Sequence, residues 1–72
     1  MTLRTYLNRS RDNPTLITRL DLRKQVDELR KVEHIPDDLE AAFQAVSFAP
    51  ETLPDAEARW KALEQAVERY LG

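Results

Sequence analysis

The stretch that decides the fold is Pro54–Leu71, PDAEARWKALEQAVERYL. Trp60, Leu63, Val67, Tyr70 and Leu71 recur three or four residues apart. At about 100° per residue that spacing lays them along one side of a helix, with Ala56 and Ala66 on the edges of the stripe. The helix is expected to begin near Pro54, where Thr52 and Asp55 are spaced like a capping box that uses Asp in place of Glu. An apolar stripe of this length has to be covered, so the rest of the chain must supply facing apolar surfaces.

Prolines at 14, 36, 50 and 54 cut the remainder into pieces of helical length. From Pro36 onward, Leu39, Ala42, Phe43 and Val46 repeat at i, i+3, i+4 and i+7. Asp37, Asp38 and Glu40 stand in the opening turns of that helix, where negative charge suits its dipole, and it is expected to end before Pro50. At the front, Thr2 can cap a helix running to about Arg11, with Leu3, Tyr6 and Leu7 on one face and Asp12-Asn13-Pro14 as its stop.

The segment from Asn13 to about Glu33 is less simple. Asn13 can cap it and Pro14 suits its first helical position. Leu16, Ile17 and Leu20 point one way, however, and Leu22, Val26 and Leu29 almost the other. Such a phase change arises from a helix that breaks, or from one long helix contacted on two sides. The β-branched residues between Thr15 and Leu22 also permit an extended strand, although no partner strand is visible. A helix with a break or bend near Asp21 is the expectation. The fold class is then all-α, a single domain of four to five short helices over residues 1–72. Its expected core is Tyr6, Leu7, Leu20, Val26, Leu29, Phe43, Val46, Trp60, Leu63 and Val67.

Composition sets bounds on function. Seventy-two residues make one domain with a thin core. There is no cysteine, hence no disulfide or thiolate-bound zinc. The single glycine is Gly72, which rules out a glycine-rich phosphate loop. Arg4, Asn8, Arg9 and Arg11 interrupt any signal-peptide-like apolar run, and nothing approaches a membrane span, so a soluble cytoplasmic protein is expected. The net charge of -2 hides an asymmetry: residues 1–36 carry +3 and residues 37–72 carry -5.

Candidate chemistry is sparse. His34 is the only histidine, and no serine or second titratable group is placed to work with it, so a surface role is expected. Ser10 and Ser47 lack the context of a nucleophile. The Asp37, Asp38 and Glu40 cluster lacks the glycine that a calcium loop needs, and helix-dipole complementarity accounts for it. Trp60 and Tyr70 lie on the apolar stripe and read as core, whereas Phe48 beside Pro50 is the better candidate for exposure. No cofactor, metal or small-molecule substrate is expected, and no enzymatic activity. What remains is a cluster of cations, Arg4, Arg9, Arg11, Arg19, Arg23 and Lys24, set against only Asp12 and Asp21 in the first 24 residues. Arginine suits contacts with carboxylates and phosphates alike. A nucleic-acid domain would usually be basic, whereas this chain has a pI near 5.3.

The layout resembles the YozE-like family of small bacterial helical domains with a sterile-alpha-motif-like fold. The resemblance rests on Leu3-Arg4-Thr5-Tyr6-Leu7, Asp12-Asn13-Pro14, the Ile35-Pro36 step and Ala62 through Tyr70. It departs where the family tends to place an aromatic-Pro step, here Ile35-Pro36, and a Trp, here Val67 with the Trp at 60; the stretch from Leu16 to Leu29 also matches poorly. The resemblance implies a helical domain with no established enzymatic role, so it assigns no catalytic residue.

The expected function is a non-enzymatic protein-binding regulatory module. Small phage or mobile-element proteins that inhibit or redirect a larger host machine such as RNA polymerase are of this type: short, helical, cysteine-free and uneven in charge. The basic N-terminal surface would meet an acidic patch on the partner. The alternative is a small nucleic-acid-binding domain using the same arginines.

Overall fold

Thr2 opens the first helix, α1 (Leu3–Asp12), by accepting the Thr5 amide on its side-chain oxygen, as its position predicts. The computed structural model describes residues 2–47 and 55–72. The second helix, α2 (Leu16–Val32), starts later than expected. Its cap is Thr15, not Asn13: the Thr15 hydroxyl accepts the Thr18 amide at 3.2 Å, and the Thr18 hydroxyl accepts the Thr15 amide at 3.0 Å. Asn13 instead closes α1, and its carbonyl accepts the Thr15 amide at 2.8 Å.

The expected break near Asp21 is absent, and so is the extended alternative. α2 runs without interruption, packed against α1 on one side and against the next helix, α3 (Asp37–Ser47), on the other. Leu22 and Val26 are fully buried and Leu29 is partly so. Leu16 and Ile17 stay 52% and 73% exposed. The change of apolar phase therefore does not mark a bend. It marks two apolar side chains that the fold leaves uncovered.

The last helix, α4 (Ala56–Leu71), buries Trp60, Leu63, Ala66 and Val67 along the stripe read from the sequence. Its neighbours are α3 most extensively and α1 next, while α2 closes over α1 and α3. Asp55 stands at its N-cap but makes no capping bond, pairing instead with Arg59 at 3.0 Å. Thr52, the other half of the expected capping box, and Phe48 lie outside the described residues. The described residues form four helices and no strand, an all-α bundle. None of these helices is long and apolar enough to cross a membrane.

Of the expected core, Leu7, Val26, Phe43, Val46, Trp60, Leu63 and Val67 are buried, and Tyr6, Leu20 and Leu29 pack partly covered at its edge. Leu22, Ile35, Leu39 and Ala66 complete the buried set. Ile35 is held inside by the turn between α2 and α3, where the flanking His34 and Pro36 are exposed.

Leu63→Ala is expected to cost about 2–5 kcal/mol, since it opens a cavity at a fully buried site. Ile17→Ala, the loss of a comparable side chain from an exposed site, is expected to stay within about 0.5 kcal/mol of wild type. Urea unfolding followed by circular dichroism measures both. Equal costs would mean that Ile17 belongs to the core.

Candidate functional site

The charge asymmetry of the sequence is in large part an internal adhesive. Cations from the front half meet carboxylates from the back half across helix boundaries. The Arg11 guanidinium, on α1, donates to Glu68 of α4 at 2.7 Å and lies 3.9 Å from Glu64. Beside it the buried Ser10 hydroxyl donates to Glu64 at 2.9 Å, so adjacent α1 residues tie to one turn of α4. Arg19, near the start of α2, donates to both carboxylate oxygens of Glu57 and stacks 6.0 Å from the Trp60 ring centroid. Arg30 donates to both oxygens of Glu40, with its Nε bond at 2.9 Å, and covers the Phe43 ring at 5.0 Å. One pair lies within the back half: Arg69 of α4 donates to Asp38 of α3 at 3.1 Å. The Tyr70 hydroxyl donates to Glu33, joining the ends of α4 and α2.

These contacts shift titrations in the direction their geometry requires. Hydrogen bonds from Arg30 and then Gln44 hold the Glu40 carboxyl down to about 2. Arg19 lowers Glu57, and Arg11 lowers Glu68 with a smaller contribution from the charge of Arg4. The hydrogen bond to Glu33 raises the Tyr70 hydroxyl.

The acidic cluster at the start of α3 is accounted for in the same way. Asp38 and Glu40 are tied to Arg69 and Arg30, and no group of three or more ligand side chains that could hold a metal occurs among the described residues. His34 is exposed in the turn between α2 and α3.

The six cations singled out from the sequence therefore separate. Arg11 and Arg19 turn inward to α4. Arg4 is exposed and lends its charge to Glu68, and Arg9 is also engaged within the chain. Arg23 and Lys24 differ. Among the described residues neither forms an ion pair or a side-chain hydrogen bond. Both line an open groove of about 540 Å³ between α2 and α3, together with Leu20, Asp21, Asp27, Arg30, Phe43 and Ser47.

The uncovered start of α2 lies one turn before Leu20, the first residue of α2 that lines the groove. Ile17, Leu20 and Lys24 stand at i, i+3 and i+7, and Leu16, Leu20 and Arg23 at i, i+4 and i+7, so the exposed apolar pair and the two unpaired cations share one side of the helix. Leu16 and Ile17 were not among the candidate binding residues; the signal that could have found them was the phase change in α2. No family model, curated protein or solved structure matches the chain.

Two measurements check this division. Arg19→Glu places like charges together beside Trp60 and is expected to destabilise by roughly 1 kcal/mol or more, whereas Arg23→Glu should stay within about 0.5 kcal/mol of wild type. Chemical unfolding of both variants decides it, and equal losses would make Arg23 structural too. The second measurement uses pH. Because Glu40 is more acidic folded than the roughly 4.3 of an unfolded glutamate, acid protonates the unfolded chain first. Its stabilisation is complete above that unfolded value and is lost as pH falls toward about 2. The urea midpoint is expected to drop on acidification, and to drop less in Glu40→Gln; identical drops would remove Glu40 from this role.

Proposed function

We propose that this chain is a non-enzymatic protein-binding module that modulates a larger partner by occupying an acidic surface on it, with the exposed side of α2 as the docking surface. One observation carries the reading: two cations without an ion-pair partner among the described residues, Arg23 and Lys24, lie on the same helix side as two uncovered apolar residues, Leu16 and Ile17. Apolar groups flanked by cations are the makings of an interface in which burial supplies affinity and charge supplies orientation and rate. A chain of 72 residues can work this way on an assembly as large as RNA polymerase, since blocking or redirecting a surface requires only a footprint. It also fits the YozE-like resemblance, which implies no catalytic role.

A nucleic-acid surface is the weaker reading. It requires cations aligned toward one backbone, whereas Arg11 and Arg19 face carboxylates of α4, and Asp21 and Asp27 flank the unpaired pair.

The test is affinity capture from lysate with the intact chain, compared with Arg23→Glu/Lys24→Glu, with Ile17→Ser, and with Lys61→Glu as a charge reversal on α4. The same partner should be retained by wild type and Lys61→Glu and reduced about fivefold or more by the other two variants. Equal capture by all four would overturn the assigned surface. Submicromolar binding of generic duplex DNA at low salt, lost in Arg23→Glu/Lys24→Glu, would favour the nucleic-acid reading instead.

A further inference from the structure

We infer that the element of the partner received by this surface is an acidic amphipathic α-helix of about three turns, seated along α2 with its edge in the α2–α3 groove. The inference rests on the protein-binding reading above and deepens it by naming the occupant.

Shape is the first argument. The described residues form four helices and no strand, so a partner strand finds among them no sheet edge to pair with. A polyproline segment needs a groove lined with aromatic rings, and among the described residues Phe43 is the one aromatic that lines this groove. A furrow between two helices matches the ridge of a third helix.

Length is the second. From Leu16 to Asp27 the strip advances about 17 Å at 1.5 Å per residue, the length of a three-turn helix. Its apolar part, Leu16, Ile17 and Leu20, can take anchors spaced i, i+3 and i+4 on the incoming helix.

Charge is the third argument, and it fixes the sign. Asp27 is already bound to Lys31 at 3.2 Å and to Arg30 at 3.4 Å, and Arg30 to Glu40. The groove's unsatisfied charges are therefore Arg23 and Lys24 against Asp21 alone among the described residues. An occupant with carboxylates beside its apolar stripe satisfies the two cations; a basic one would meet them head on.

A second copy of this chain is not the occupant. Its acidic helices spend their apolar faces on their own core: Leu39, Phe43 and Val46 of α3, and Trp60, Leu63 and Val67 of α4, are buried. A three-turn helix is marginal alone in water, so the occupant orders on binding and the affinity is modest.

The experiment uses the full chain and a fluorescein-labelled peptide of about 16 residues with leucines at i, i+4, i+7 and i+11, glutamates flanking them and alanine elsewhere. Two controls accompany it: the same peptide with lysine for every glutamate, and a scramble of the same composition without a continuous apolar stripe. Fluorescence anisotropy should show the acidic peptide binding about tenfold or more tighter than either control, more weakly as salt rises. Arg23→Gln/Lys24→Gln should lose about fivefold and Ile17→Ser about threefold. Far-ultraviolet circular dichroism should show more helix in the mixture than in the separated components. Binding no tighter than the scramble, or unaltered by these variants, overturns the helical occupant. If capture of the partner from lysate nonetheless depends on Arg23, Lys24 and Ile17, the surface stands and only its occupant was misassigned. If that dependence is missing as well, both fall.

Discussion

The stripe on α4 is the constraint from which the rest follows. Leu63 and Val67 are fully buried, with Trp60 and Ala66 nearly so, and they can be dry only if two other helices close over them. α3 brings Leu39, Phe43 and Val46 to one side, and α1 brings Leu7 to the other. α2 then covers the seam with Leu22 and Val26. In a chain this short each of these residues carries a large share of the apolar burial, because little surface is hidden on folding.

Once the helices are placed, the ion pairs settle along their edges. They are partly exposed, and each contributes little on its own. Their significance lies in which side chains they occupy. Ser10, Arg11 and Arg19 are committed to Glu64, Glu68 and Glu57, so a surface that looks basic when counted along the sequence is largely neutralised in three dimensions. Arg23 and Lys24, on the part of α2 facing away from α4, stay outside this arrangement among the described residues, and beside them Leu16 and Ile17 are left in water. The functional reading follows from this coincidence, and a raw count of arginines would have placed the surface differently.

Much of the fold was legible in the sequence because helical periodicity and prolines are local signals. The α4 stripe, the α3 repeat and the Thr2 cap all follow from residues within a few positions of one another. The continuity of α2 was not legible: an apolar residue that faces water and one that faces a neighbour on the far side leave the same mark in the pattern, and only the packed neighbours distinguish them. The cap at Thr15 was missed because Pro14 is favourable at a first helical position, whereas here the reciprocal Thr15 and Thr18 bonds set the start two residues later. The candidate site was half legible. Cation identity is written in the sequence, but whether a cation is spent depends on carboxylates about 40 to 60 positions away, as with Arg19 and Glu57 or Arg11 and Glu68.

Arginine-selective modification by phenylglyoxal, followed residue by residue with mass spectrometry, measures directly which guanidinium groups are held by carboxylates. Arg23 should react several times faster than Arg11, Arg19 and Arg30, whose guanidinium groups are held by carboxylates. If Arg11 and Arg19 were modified as quickly as Arg23, the division between structural and available cations would be contradicted.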